Sequence, residues 1–396
     1  MTLVFDERNN LQGQPGLHAL IAGVSAYPHL PGGTGRAAPN YFGMQQLSSA
    51  ALTAYKVYQW LLNRQRNLPA QLATCRLLLS PSPAELDAEP SLRGFAHPCT
   101  KENFCRMATD WRTDASSHKE NVTLFYFVGH GVQRSKNDQI LLLEDFGDGI
   151  GGTLDKSFDS NNLFYGMSSS VSLANMAETQ FYFIDACRVL PSKFKDFERM
   201  TVPDVFDVDL SGREKRRATI FYAAVPDSKA YGLRGDQTIF SKALFYCLDR
   251  AGQLYQHEID KWCVSVYSLA QALSSYIKDI NDIHGTDQDF SFMHYSEDTI
   301  IHALDGPPPV DTILEIYPDE ALPFVTIEVR EIRDDQDQTV WELSAPLTPH
   351  PYQRELPAGV YKICARINPP NSSFVDYTKS SLVRPLRTNW KMRMLR

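Results

Sequence analysis

The sequence predicts an α/β protein: a mainly parallel sheet of about six strands flanked by helices, followed by a small all-β, sandwich-like domain. Short apolar runs alternate with segments of helical period as far as Leu304. Two of those runs, TLFYFVGHGVQ (Thr123–Gln133) and TQFYFIDACRV (Thr179–Val189), are close copies that end on polar, chemically capable residues. Beyond the proline run DGPPPVD (Asp305–Asp311), helical spacing gives way to short β-type segments.

Leu17–Val24 (LHALIAGV) is uniformly apolar and reads as the first buried strand. A Pro- and Gly-rich loop follows. Met44–Leu62 then places Leu47, Ala51, Ala54, Val57, Tyr58, Leu61 and Leu62 at helical spacing. Cys75–Leu79 is a second strand, stopped by Pro81 and Pro83. Thr100 opens a helix with Phe104, Met107 and Trp111 on one face. After the first of the paired strands, Glu144–Ser170 reads as a long Gly-, Asp- and Ser-rich loop. Leu190–Arg217 is polar and ends in the cluster Arg213-Glu214-Lys215-Arg216-Arg217. Ala218–Val225 is a strand, Ser241–Arg250 and Val264–Ile280 are helices, and Thr299–Leu304 is expected as the edge strand. Behind the prolines, Ile313–Tyr317, Phe324–Ile332, Val340–Ser344, Val360–Ile367 and Trp390–Leu395 read as short strands. The expected organisation is therefore a domain over 1–304, a linker over 305–311 and a β-domain over 312–396.

Bulk properties exclude several function classes. With 43% hydrophobic and 22% charged residues the chain can build a full core. A net charge of −8 argues against nucleic acid or an anionic membrane surface as the main partner. No apolar run approaches transmembrane length, and the first residues lack the pattern of a secretory signal. Seven scattered cysteines do not form a disulfide framework, and no CxxC or HxxxH spacing points to zinc. A reduced, cytoplasmic protein is expected. GVSAYPHLPGGTGRAAP has glycines after the first strand but neither phosphate-loop nor dinucleotide spacing.

The strand ends carry the chemistry. Ligands and catalytic groups gather at the carboxyl ends of parallel strands. If the paired strands are neighbours, His130 and Cys187 face one cleft. A thiol needs a base or a cationic neighbour to become a nucleophile, and an imidazole suits either role. Gly129 and Gly131 permit a sharp turn and a close substrate approach. The N–H groups of Gly131 and Cys187 can form an oxyanion hole, an arrangement worth about 3–4 kcal/mol in the transition state. The plainer readings are a structural histidine at a strand end, a buried cysteine acting as a small hydrophobe, and an Asp185 that caps loop N–H groups.

FYFVGHG followed by FYFIDACR resembles the core of the caspase-like cysteine peptidases, the group of caspases and metacaspases. HALIAGVSAY, QLSSAALTAYKVYQWL and GDQTIFSKALFYCL resemble the first strand, first helix and a late helix of that family. The resemblance implies a caspase-like fold over 1–304 and a cysteine endopeptidase with His130 as general base, Cys187 as nucleophile, and Gly131 and Cys187 as oxyanion donors. It assigns Asp185 to a basic-P1 pocket, since metacaspase-like members carry an acid there where caspases carry Gln. It adds Asp227 to the wall of that pocket, and implies self-cleavage after Lys215, Arg216 or Arg217 or activation by a partner. Arg188 replaces the Gly expected beside the nucleophile. The implied substrates are proteins or peptides with Arg or Lys at P1, in a stress, cell-death or antiviral defence pathway. Some metacaspases need Ca²⁺, but Glu144, Asp145, Asp148, Asp155 and Asp159 lack EF-hand spacing and read as a solvated loop, so no cofactor is expected. The competing function class is a silent caspase-like scaffold, which would be expected to have lost His or Cys; this chain has both.

Overall fold

The computed structural model describes residues 2–396 apart from 136–137, 193, 195–199, 210, 213, 233–235, 252–253, 257–259, 296, 334–335, 349–350 and 369–372. The chain divides into two compact units. Residues 1–245 and 273–301 form the first; 246–272 and 302–396 form the second.

In the first unit a short strand β1 (Leu3–Asp6) precedes β2 (Gly16–Val24), β3 (Gln71–Ser80) and β4 (Val122–Gly129). After β4 the chain makes a small antiparallel sheet from β5 (Gly131–Val132), β6 (Ile140–Leu142) and β7 (Ser157–Asp159). It returns as β8 (Thr179–Ala186) and β9 (Arg217–Tyr222). In the second unit β10 (Leu254–Gln256) pairs with β11 (Lys261–Ser265). β12 (Ser291–Tyr295) closes the main sheet, whose order is β1-β3-β2-β4-β8-β9-β12. Its five inner strands are parallel, and β1 and β12 run antiparallel at the edges. Every residue of β2, β4 and β8 is buried, as sheets covered on both faces require.

Helices α1 (Ala50–Asn63), α2 (Pro83–Ala88), α3 (Lys101–Ala115), α4 (Ser160–Gly166), α5 (Ile239–Arg250) and α6 (Val266–His284) complete the set. α3 is capped by Thr100, whose hydroxyl accepts from Asn103 N–H. Trp111, Phe125, Phe127, Phe158 and Tyr182 pack in one core between helix and sheet.

Several expectations are corrected. The edge strand is Ser291–Tyr295, not Thr299–Leu304: Phe292 stacks on Phe221 of β9 at 5.7 Å, while β13 (Ile300–Ala303) joins the β10-β11 sheet. α1 begins at Ala50 rather than Met44. Its first N–H groups are met from elsewhere in the fold, by Ser25 Oγ (2.9 and 3.1 Å) and Glu85 Oε1 (3.0 Å), which fixes the start of the helix. The expected loop Glu144–Ser170 contains β7 and α4, the latter capped by Asp159 at Asn161 N–H (2.9 Å).

The β-rich part of the second unit has two sheets. β14 (Pro309–Tyr317), β15 (Val325–Arg333), β16 (Gln336–Leu343), β17 (Tyr352–Pro357), β18 (Gly359–Ile367), β19 (Tyr377–Val383) and β20 (Arg387–Arg393) order as β17-β14-β20 and β16-β15-β18-β19. Alternate residues Val310, Leu314 and Ile316 of β14 meet Ile327, Val329, Tyr361 and Trp390 in a separate core. Two strands have no counterpart in the sequence reading. β17 and β19 each bury a single residue, so neither shows an apolar alternation.

Candidate active site

β4 and β8 are neighbours in parallel register, with Gly129 opposite Ala186. The next residue on each strand is His130 or Cys187, so imidazole and thiol stand at matching positions on one sheet edge. Gly131 has a steric reason to be glycine: a Cβ there would lie 2.5 Å from Cys187 O and 2.9 Å from Ala186 Cβ.

The imidazole is held from two sides. Tyr27 Oη accepts from the His130 backbone N–H (2.9 Å), and its ring lies 4.9 Å from the imidazole. Gln45 O lies 2.6 Å from Nε2, so Nε2 carries the proton and Nδ1 keeps its lone pair. Burial brings the His130 pKa down to about 4, opposed by the Gln45 contact. Cys187 Sγ accepts from Ala230 N–H at 3.3 Å. Burial pushes the thiol above its ordinary pKa, and the Ala230 N–H works against that. Both groups therefore rest neutral near pH 7. Among the described residues no hydrogen bond joins the two side chains.

Asp185 is buried at the end of β8. Its Oδ2 accepts from Tyr126 Oη (3.0 Å) and from the Thr238 hydroxyl, whereas Oδ1 has no hydrogen-bond partner among the described residues. Burial raises its pKa to about 7, and the two hydroxyls oppose the rise. Instead of capping loop N–H groups, the carboxyl keeps one oxygen buried and unpaired.

Asp227 sits elsewhere on the same rim. It has φ +63°, donates its N–H to Arg188 O (2.8 Å) and Gln133 Oε1 (3.0 Å), and leaves its carboxylate exposed. Arg188, which follows Cys187 where the family resemblance implies Gly, stacks over Tyr222 at 4.6 Å and approaches Ser291 Oγ (3.4 Å), toward the β9–β12 edge.

The basic cluster is divided. Arg213 lies outside the described residues, and Lys215 is exposed. Arg216 is 3% exposed: it donates to Phe164 O (2.8 Å) and Gln180 Oε1 (3.0 Å), pairs with Glu214 and covers the Phe164 ring at 4.4 Å. Arg217 begins β9 and bonds through its N–H to Glu178 O (2.7 Å). Arg216 is therefore buried, whereas the Arg217 side chain is exposed while its backbone is hydrogen-bonded into the sheet.

The acids of the Gly-rich loop are occupied locally. Glu144 accepts from Ser80 Oγ (2.5 Å), Asp145 from Lys101 N–H (3.0 Å), and Asp148 pairs with Lys156 at 3.4 Å. Asp155 accepts from Gly152 N–H (2.5 Å) and Asp159 caps α4. Among the described residues no three His, Cys, Asp or Glu side chains gather as a metal-binding group. Tyr27, Gln45, Tyr126 and Thr238 are the site residues the sequence reading missed. Only Tyr126 left a trace there, as a polar atom inside an apolar strand.

A caspase-domain family profile matches residues 85–291, more than half of the chain, and the chain belongs to that family of cysteine peptidases. Among solved structures it resembles caspase-1 from Spodoptera frugiperda, with 11% identity over 74% of this chain and 94% of that one, at a TM-score of 0.41. A protein from Geobacter sulfurreducens matches at 13% identity over 72% of this chain and 94% of its own, also at a TM-score of 0.41. No curated protein matches by sequence. The caspase-like fold, a mainly parallel sheet flanked by helices with further β sheets at the C-terminus, is the one expected from the sequence.

Proposed function

We propose that this protein is a cysteine endopeptidase that cleaves after Lys or Arg with His130 as base and Cys187 as nucleophile. The observation that carries it is the β4–β8 register, which sets both groups at one strand edge. As Sγ bonds to the substrate carbonyl carbon, its proton passes to His130 Nδ1 while Nε2–H stays on Gln45 O. The oxyanion forms against the N–H groups of Gly131 and Cys187. The imidazolium then gives its proton to the departing amine, leaving a thioester. Water, deprotonated by the same imidazole, releases the acid and restores the thiol.

The buried, half-paired Asp185 supports a basic P1 residue: a cation brought to Oδ1 supplies the missing partner and favours the charged carboxylate. Asp227, exposed on the same rim, adds to the negative field such a residue meets. Self-cleavage fits best after Lys215, which is exposed and, unlike Arg217, lies outside β9, once Arg216 has been released. Seven free cysteines fit a reducing, cytoplasmic setting, and no helix among the described residues is long and apolar enough to cross a membrane. A stress, cell-death or antiviral defence pathway, with an activating partner, follows from the family resemblance. We assign the β-domain an interaction or stabilising role.

The test is turnover of peptides carrying P1 Arg, Lys or Asp by wild type and Cys187→Ala. Cleavage of the basic substrates by wild type alone is expected. Equal turnover by the variant would overturn the nucleophile, and a preference for P1 Asp would overturn the pocket.

A further inference from the structure

Gln46 is fastened in a way that thiol–imidazole chemistry alone does not require. Its side-chain amide pairs with both backbone groups of Tyr27: Oε1 accepts from the N–H at 2.8 Å and Nε2 donates to the carbonyl at 2.7 Å. The same Nε2 lies 3.3 Å from the carbonyl oxygens of Leu30 and Pro31. Tyr27 offers one donor and one acceptor, so the amide fits in a single orientation. The side chain thus acts as the strand partner that this Pro- and Gly-rich loop lacks.

The segments it ties together are the two that hold His130. Tyr27 supplies the hydroxyl that accepts from the His130 backbone N–H. Gln45, immediately before Gln46, supplies the carbonyl on Nε2. Leu47 N–H bonds to Ser25 O at 3.0 Å and anchors the far side of the same turn. A shift of this turn would move the acceptor on Nε2 and the support beneath the imidazole together. The loss of catalysis from a misplacement of about 1 Å can reach about 100-fold.

We propose that Gln46 is a positioning residue of the active site. It keeps the Gln45 carbonyl on Nε2 and the Tyr27 hydroxyl on the His130 N–H, which holds the proton on Nε2 and leaves Nδ1 ready for the thiol. This rests on the assignment of His130 as base and Cys187 as nucleophile. Gln46 itself touches neither the thiol nor the imidazole by any hydrogen bond described.

The experiment uses the full chain and two readouts, peptide turnover and alkylation of Cys187 by iodoacetamide followed by peptide mass mapping. For Gln46→Ala, kcat should fall about 10- to 100-fold with KM within about twofold, and Cys187 alkylation should slow by about tenfold. Gln46→Glu keeps an acceptor for Tyr27 N–H but cannot donate to the Tyr27 carbonyl, so it should fall between Ala and wild type. It also serves as the test if the Ala variant fails to fold. Unchanged kcat and unchanged alkylation in a folded variant would overturn the proposal, as would a loss fully explained by a lower unfolding midpoint. If wild type cleaves no peptide while Cys187 alkylation still depends on His130 and on Gln46, the positioning role stands and the peptidase reading fails.

Discussion

The two ends of the parallel sheet each hold a histidine and a buried aspartate, and they treat the aspartates in opposite ways. At the amino end, His18 Nδ1 meets Thr74 Oγ1 (2.9 Å), and Asp114 is clasped by Arg76 (2.5 Å) and Arg8 (3.0 Å). At the carboxyl end, Asp185 has two hydroxyls on one oxygen and, among the described residues, no hydrogen-bond partner on the other and no ion pair. Burial depresses both histidines to about 4, so the imidazole pKa does not tell the ends apart. The carboxylate does. Asp114 has its countercharge within the protein, whereas Asp185 pairs with no cation among the described residues and burial holds its pKa near 7. The first network is closed within the fold; the second is the one that the proposed basic P1 residue would complete.

The largest expected effect is at the carboxyl end. Cys187→Ala should lower peptide turnover by about 10³-fold or more while the unfolding midpoint stays within a few degrees. His130→Ala should match it, and the double variant should lose little more, because the pair acts as a unit. Asp185→Asn should cost about 100-fold in kcat/KM on P1 Lys and Arg substrates, since the cation then enters a pocket without countercharge. Equal loss on neutral P1 substrates would show that Asp185 serves the fold instead.

The amino end should answer in stability and leave turnover within about threefold. Arg76→Met leaves the buried Asp114 with the partly exposed Arg8 as its countercharge, and losing one buried partner of this kind costs about 1–3 kcal/mol, read as a lower denaturation midpoint. A matching collapse of turnover in folded protein would erase the distinction between the ends.

The smallest effect is a pH dependence. The folded pKa of Asp185, about 7, lies above its unfolded value, so the folded state holds that proton more tightly. Its stabilising contribution is complete below the ordinary carboxylate range and is lost as pH rises through about 7. Wild type should therefore lose up to a few kcal/mol relative to Asp185→Asn between pH 4 and pH 8, measured by denaturant titration. A saturating basic ligand should flatten that difference. Parallel stability curves would place the carboxyl end in the same class as the amino end.

Much of this was legible in the sequence because fully buried parallel strands are written as uninterrupted apolar text, as in β2, β4 and β8. Their ends are then marked by the first polar residues, which is how His130, Cys187 and Asp185 stand out. β1, β12 and β17 are short strands whose pairing comes from neighbours far away in the chain, and β19, though it pairs with the preceding β18, is mostly exposed, so local pattern says little about them. The Gln45 carbonyl had no signal at all, because a backbone acceptor looks the same under every side chain. Arg216 misled in the opposite direction: a run of basic letters reads as solvent, yet its guanidinium finds four acceptor atoms and an aromatic face inside the fold.

That buried guanidinium also makes the segment before β9 a clock for local opening. A trypsin-like cut after Arg216 has to wait until the side chain leaves Phe164, Gln180 and Glu214 and the start of β9 peels from Glu178. When reclosure outpaces cleavage, the cutting rate follows the fraction of molecules momentarily frayed at this spot. Whatever tightens β9 against β8 slows that clock, and a binder that loosens the strand starts it.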